Sequence, residues 1–363
     1  MKIVFLIDNL DSGGAERQIV LLATLFHAAG NDVSVLGYCK GDFYLPELQK
    51  HNIEYKMIDS SSAIDRLLKF RKEIRKRNPE AVIAFMYTPS ILAEFASVPF
   101  RRWKLIISER SYLFQNISLS TRVVKHFHII ADYVVSNSHR NAARVLEVVP
   151  CLRSKLKIVY NGLDLNHFKP ADDTAEHPHS PFRIICVASH QKNKNAIGCI
   201  KALSQIPPAE RPSFVWYGSK RSALGVDYRA YLDAVAMAKE YGVEDSIRFE
   251  EPEKNLLPVY QNADALILPS FIEGLPNVVC EAMACGLPVL MGENVSDSNR
   301  FIQPGINGFL FEPENPTSIK DCILSIMKVN QDQWAAMRKV SRDTAESLFS
   351  QKVFFESYHA ILQ

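Results

Sequence analysis

Residues 260–313 read YQNADALILPSFIEGLPNVVCEAMACGLPVLMGENVSDSNRFIQPGINGFLFEP. ADALILPS is a short apolar run with a polar stop, which predicts a buried parallel strand ending at the C-terminal edge of a sheet. FIEGLPN is a turn, broken by Gly274 and Pro276. NVVCEAMACG predicts a helix with Asn277 as its N-cap and Gly286 closing it. LPVLM is the next strand. The loop after the first strand and the N-terminus of the helix then face one crevice. Open α/β sheets bind ligands in such a crevice, and a helix N-terminus favours an anion, phosphate above all.

Two carboxylates punctuate this stretch, Glu273 in the loop and Glu281 four positions into the helix from Asn277, which returns it to the face above the loop. A lone Glu in a helix is usually solvated, and a Glu in a loop usually carries no role. Here the Gly-Leu-Pro break, the spacing and the strand context coincide. Two acids beside a phosphate-friendly helix end suit a sugar nucleotide: carboxylates accept hydrogen bonds from vicinal hydroxyls, and backbone N–H groups take the diphosphate.

The stretch resembles the signature of the family 4 retaining glycosyltransferases, E-G-x-P-x-x-x-x-E-A-M-A-x-G-x-P-V followed by G-x-x-G-x-L/F. The matching residues are Glu273, Gly274, Pro276, Glu281, Ala282, Met283, Ala284, Gly286, Pro288 and Val289, then Gly305, Gly308, Phe309 and Leu310. The resemblance implies an α/β protein of the GT-B fold, two doubly wound Rossmann-like domains facing a central cleft. It places the sugar-nucleotide donor mainly on the C-terminal domain and the acceptor on the N-terminal one.

Composition agrees with a two-domain globular chain. There are 363 residues, 47% hydrophobic and 23% charged, and no apolar run approaches the roughly 20 residues of a membrane span. The start MKIVFLIDNLDSGG predicts a first strand rather than a signal peptide. Seven cysteines show no metal-ligand spacing, and Cys186, Cys199, Cys280 and Cys285 fall inside apolar patterns; reduced core thiols and a cytoplasmic protein are expected. Net charge is only +2 but uneven: residues 1–170 carry 24 Lys and Arg against 16 Asp and Glu, leaving 18 against 24 in the remainder.

Along the chain, KIVFLID is strand one and runs into NLDSGGAERQ. Gly13 and Gly14 allow close backbone approach at a strand-to-helix turn, although a tight turn explains them equally well. The family carries G-G-[AT]-E-R here, which implies a loop closing over the donor phosphates or the acceptor. AIDRLLKFRKEIRKRNPE is a basic helix. With Arg101, Arg102, Trp103 and Lys104 it supplies the pattern of a peripheral contact with an anionic membrane surface. No nucleic-acid-binding motif accompanies the charge. In WKLIISERSY the family's histidine facing the transferred sugar is replaced by Arg110, which can hydrogen-bond sugar or acceptor but cannot serve as a base. Glu109 could, or it is a paired structural carboxylate. His126 and His128 sit in an apolar helical stretch and are expected in packing or at the surface.

LKIVYNGLDLNHFKP closes the first domain at residue 170 with a turn at Asn161-Gly162, and the polar ADDTAEHPHSP is a linker. FRIICVASH opens the second domain, 171–345. At its end the family reads G-R-L-x-x-x-K-[GN]. Lys194 matches the lysine and Ser189 stands where the arginine would be; the two family cations neutralise the donor diphosphate, and Lys192 is placed to compensate. At the end of SIRFEEP, just after the strand, Glu251 and Pro252 replace a family glycine beside the nucleotide base. The last helix, about 346–363, is expected to pack back on the first domain.

The resemblance thus implies transfer of a hexose from a nucleoside diphosphate sugar to a glycan or lipid-linked acceptor in bacterial glycan assembly, with retention and without a metal or other cofactor. The basic clusters add the expectation of a cytoplasmic protein peripheral on the inner face of the cytoplasmic membrane. Glu273 would hold the sugar and Glu281 the ribose. Gly274, Leu275, Pro276, Asn277 and Val278 would present backbone to sugar and phosphate, Ser189 and Lys194 would face the diphosphate, and Arg110 the reaction centre. One alternative is a sugar-nucleotide epimerase or hydrolase on the same fold, against which the E-G-x-P block speaks. The other is a non-catalytic sugar-nucleotide binder, which Ser189 and Arg110 keep open and the presence of both Glu273 and Glu281 argues against.

Overall fold

The computed structural model describes residues 1–110, 119–171, 178–220 and 228–363. Most of the loop after ISER, most of the polar linker and the expected start of the helix at ALGVDY lie outside the described residues. The chain forms two compact units, Met1–Gly162 with Gln351–Gln363, and Leu163–Ser350.

The first unit holds seven strands: β1 (Lys2–Leu6), β2 (Asp32–Gly37), β3 (Glu54–Met57), β4 (Ala81–Phe85), β5 (Lys104–Glu109), β6 (Tyr133–Ser136) and β7 (Leu156–Ile158). They form one parallel sheet in the order β3-β2-β1-β4-β5-β6-β7. The central β4, AVIAF, is buried along its whole length, as a strand covered by helices on both faces must be. The helices are α1 (Gly14–Ala28), α2 (Leu45–Lys50), α3 (Ala63–Arg77), α4 (Tyr87–Ser97), α5 (Leu119–His126) and α6 (His139–Val148). VVKHFHII was expected to be continuous helix; α5 stops at His126 and a 3₁₀ turn, Phe127–Ile130, follows.

Much of the basic run of α3 is engaged within the fold rather than presented outward. Arg71 and Arg75 donate to carbonyls at the end of α4, to Phe95 at 2.9 Å and Ala96 at 3.2 Å, and Arg75 reaches Phe100 O at 2.7 Å. Phe95 O also takes a 3.4 Å bond from Val98 N–H; the arginines add side-chain donors where the end of a helix leaves its last carbonyls short of partners. Arg77 forks onto Glu54, Lys69 pairs with Asp65 and Arg66 stacks on Tyr38. Trp103, expected among the outward aromatics, is buried beneath Arg75. Tertiary pairing thus takes up most of a charge run that sequence alone presents as free.

The second unit holds β8 (Arg183–Val187), β9 (Ser213–Tyr217), β10 (Ile247–Glu250), β11 (Ala265–Leu268), β12 (Val289–Gly292) and β13 (Gly308–Phe311). Its parallel sheet runs β10-β9-β8-β11-β12-β13. Its helices are α7 (Ala196–Ser204), α8 (Arg229–Glu240), α9 (Leu257–Gln261), α10 (Asn277–Ala284), α11 (Ser298–Phe301), α12 (Pro316–Met327) and α13 (Gln331–Phe349). α13 opens on a capping box between Asn330 and Gln333, which satisfies two end groups reciprocally. The last helix, α14 (Gln351–Leu362), belongs to the first unit, where Phe354, Tyr358, Ile361 and Leu362 enter the core beside Phe26 and Phe85.

All seven cysteines are free and five are buried; burial pushes the Cys285 thiol up to about 12. Among the described residues no helix is long and apolar enough to cross a membrane.

Candidate active site

In the second unit the strand order reverses between the hydrogen-bonded neighbours β8 and β11. Loops leaving the C-terminal ends of two such strands diverge and open a crevice. The loop after β8 carries Ser189, Lys192 and Lys194; the loop after β11 carries Glu273 to Pro276. Phe271 N–H donates to Asn193 O at 2.9 Å. The Asn195 amide donates to Pro269 O and Pro313 O, at 3.2 and 2.7 Å. Asn195 has φ +60°, a left-handed conformation that Gly and Asn tolerate best. That gives a physical reason for the [GN] that follows the family's lysine.

Lys194 Nζ donates to Glu273 Oε1 at 2.5 Å, with both side chains largely buried. The Gly274 carbonyl accepts from Ser296 Oγ, and Ser296 is itself buried at φ +54°. A serine in a polar turn carries no signal in the sequence until β12 brings that turn beside β11. Leu275 and Pro276 are buried. The helix begins one residue earlier than expected, because Pro276, extended at φ −76° and ψ 112°, takes the cap position and Asn277 is the first helical residue. No side chain caps α10, so its positive end offers backbone N–H groups to a ligand. Glu281 is 2% exposed and accepts a 2.8 Å hydrogen bond from the hydroxyl of Tyr260, a second residue whose part only the packing reveals.

Ser189 is half-buried, and its carbonyl accepts from Gln191 N–H at 2.9 Å. Next to it His190 replaces the family's leucine. Its ring is packed between Trp216, Tyr231 and Phe249 at centroid distances of 5.2–5.5 Å, and neither ring nitrogen has a partner among the described residues. Burial, then the charge of Lys220, pushes its pKa down to about 4, so it is neutral. A buried polar atom left unpaired costs about 1–3 kcal/mol. His190→Leu should therefore raise the unfolding free energy by about 1–2 kcal/mol, read from urea unfolding; unchanged stability would mean the imidazole is satisfied in solution.

In the first unit the order reverses between β1 and β4. Gly13 is the N-cap of α1, extended and without a side-chain cap. The Glu16 carboxylate lies where a Cβ on residue 13 would sit, so the positive end of α1 meets a carboxylate of its own first turn, and Gly14 opens the helix. Arg110 is buried with three anchors: Nε to Ser108 Oγ at 3.0 Å, Nη1 to Asn161 Oδ1 at 2.5 Å and Nη2 to the Tyr358 hydroxyl at 3.1 Å. It stacks on Phe85 at 4.3 Å. Glu109 is a paired carboxylate: it accepts from Lys125 and, at 2.7 Å, from His128, whose other nitrogen meets Glu94 at 2.5 Å. Burial alone would raise Glu109, but the Lys125 charge and the His128 hydrogen bond outweigh it and hold the carboxyl at about 2. His128 is thus neither surface nor simple packing; burial disfavours its charge, yet its two carboxylates raise it to about 9.

The two parallel-sheet units are those of a GT-B glycosyltransferase. Two family models match, Glycosyltransferase Family 4 over residues 12–167 and Glycosyl transferases group 1 over residues 169–344. Anabaena HepE in complex with UDP superposes with a TM-score of 0.86 at 20% identity, covering 100% of this chain and 99% of that one. The lipopolysaccharide outer core galactosyltransferase WaaB superposes with a TM-score of 0.77 at 17% identity, covering 99% and 98%. In sequence, the chain is 22% identical over 333 residues, 88% of each chain, to the Campylobacter jejuni N-acetylgalactosamine-N,N'-diacetylbacillosaminyl-diphospho-undecaprenol 4-alpha-N-acetylgalactosaminyltransferase. The chain belongs to the family 4 glycosyltransferases and is a glycosyltransferase.

Proposed function

We propose that this enzyme moves a hexose or N-acetylhexosamine unit from a uridine diphosphate sugar to a lipid-diphosphate-linked or glycan acceptor in bacterial glycan assembly, with retention of configuration and without a metal. The observation that carries the reading is the convergence of Lys194, Glu273 and the uncapped start of α10 on neighbouring loops, with Glu281 buried behind them. The uridine base is supported by HepE, which binds UDP and UDP-glucose, and the acceptor by the diphospho-undecaprenol in the names of two Campylobacter jejuni relatives.

In this reading Glu281 holds the ribose hydroxyls and Glu273 those of the sugar. The backbone from Gly274 to Val278 faces sugar and phosphate. Lys194 exchanges Glu273 for the diphosphate, where a fixed positive charge stabilises the developing negative charge of the leaving group. Gly13 and Gly14 close over donor phosphates or acceptor. Arg110 uses three of its five N–H groups within the fold, and the other two serve the reaction centre. With no general base assigned, catalysis rests on positioning and leaving-group stabilisation. The enzyme sits peripherally on the inner face of the cytoplasmic membrane, supported by the basic first half of the chain.

The test is a thermal-shift panel of UDP, GDP, ADP and their sugars in chelator, since a ligand that binds only the folded state raises the midpoint by mass action. A shift from one nucleotide family supports the assignment; no shift from any overturns it. Ser189→Arg restores the second family cation. It should tighten the diphosphate by about tenfold, the scale of one charge-assisted contact, measured as Kd for UDP. An unchanged Kd would mean that Lys192 already fills that role.

A further inference from the structure

We infer that the groove among α3, α4, α5 and the 3₁₀ turn after α5 holds a hydrocarbon chain of an anionic bilayer phospholipid. The inference deepens the membrane placement proposed above and rests on it. The groove encloses about 390 Å³ in the first unit and is walled by Leu67, Ile91, Phe95, Val124, Phe127 and Ile130. Its two charged walls, Arg71 and Glu94, are both engaged within the fold. Arg71 donates to the carbonyls of Phe95 and Val98, and Glu94 accepts from His128 through Oε1 while its other oxygen is buried without a partner among the described residues. What faces the space is therefore hydrocarbon, and its volume is within the range of a single-ligand pocket.

Its surroundings decide the occupant. Phe100 is 81% exposed, Ile64 71% and Phe127 53%, with Leu68, Val123 and Ile129 also outward. Single exposed apolar residues need no explanation, whereas a cluster around an apolar groove marks an interaction surface. Lys72, Lys76, Arg102 and Arg122 form no ion pair or hydrogen bond through their side chains among the described residues. The nearby carboxylates are already engaged: Asp65 by Lys69, Glu73 by Lys56 and Arg77, and Asp132 by Arg101. On α3 the spacing 64, 68, 72, 76 sets Ile and Leu in line with Lys and Lys on one ridge. Protein interfaces are depleted of lysine at their cores. Outward aliphatic and aromatic residues beside unpaired lysine and arginine instead match an anionic headgroup layer over acyl chains. Glu94 is also the first link of the buried chain through His128 to Glu109, the residue before Arg110. The groove wall and the end of β5 are thereby joined by buried hydrogen bonds.

The experiment uses phosphatidylglycerol vesicles doped with a phosphatidylglycerol bearing a diazirine at the acyl-chain end, with flotation and cross-link mapping on the same samples. The expected result is flotation together with labelling of the peptides spanning 87–100 and 121–130. Leu67→Trp and Val124→Trp each fill the groove without touching the exposed rim. With melting curves showing both variants folded, they should reduce labelling about tenfold while flotation persists. Flotation with labelling elsewhere, or labelling unchanged in both filled variants, overturns the groove assignment and leaves the membrane placement standing. Absence of flotation overturns both. Equal labelling in phosphatidylcholine vesicles overturns the anionic headgroup.

Discussion

Glu281→Ala is expected to weaken donor binding and transfer by about 100- to 1000-fold, corresponding to about 3–4 kcal/mol for two charge-assisted hydrogen bonds to ribose hydroxyls. Glu281 is buried, at the fifth position of α10, and one oxygen is already fixed by the Tyr260 hydroxyl. It is therefore held before any ligand arrives, and little ordering cost offsets its bonds. Alanine also strips Tyr260 of its acceptor, so some stability is lost as well. A cycle with a donor lacking a ribose hydroxyl separates the two effects. The wild type should lose affinity when the hydroxyl is removed, and Glu281→Ala should show no further loss. Tyr260→Phe removes the same internal hydrogen bond and should leave the sensitivity to the ribose hydroxyl in place. If deoxy and ordinary donors were distinguished equally well by Glu281→Ala, the carboxylate would be structural and the ribose assignment would fall.

The second large effect is on stability. Lys125→Met is expected to destabilise the first unit by about 3–5 kcal/mol, because it leaves the buried Glu109 without its main counter-charge. Lys125 and Glu109 are each 3% exposed in their side chains, so water cannot replace the missing partner. The same group sets a pH window. The folded pKa of Glu109 is lowered to about 2; its contribution is complete above the ordinary carboxylate value and is lost as pH falls toward 2. The folded pKa of His128 is raised to about 9; its contribution is complete below the ordinary imidazole value and is lost as pH rises through 9. Burial raises Glu94 despite the His128 hydrogen bond, so its own contribution is complete below the ordinary carboxylate value and falls as pH rises above it. Urea unfolding should thus be most resistant between about pH 5 and 7. About 3 kcal/mol should be lost well above pH 9, the equivalent of His128's shift at 1.36 kcal/mol per unit. In His128→Gln the part of that alkaline loss due to the imidazole should vanish. An alkaline slope identical to the wild type's would show that His128 is not protonated in the fold.

The alternation of buried strands with amphipathic helices, and the block from Glu273 to Val289, determined the fold class and the family from sequence. Local chemistry wrote those features: continuous apolar runs where helices cover both faces of a sheet, and Gly and Pro where a strand must turn into a helix. The lysine at 194 and the acid at 273 were legible one by one, through the frame of their motifs. Their direct pairing was not, because 79 residues separate them and only the adjacency of β8 and β11 brings their loops together.

Tertiary structure also decided which charges are free. In sequence, the seven cations of α3 look alike. In the fold Arg71 and Arg75 close the end of α4, Arg77 grips Glu54, and Lys72 and Lys76 remain outward. His128 looked like an apolar-stretch histidine and lies between two carboxylates from α4 and β5. Ser296, Tyr260 and His190 gave no signal because each acts through a neighbour from another element. Residue type and spacing along one strand or helix are written locally; which partner a buried polar group finds depends on elements far apart in the chain, and only their packing supplies it.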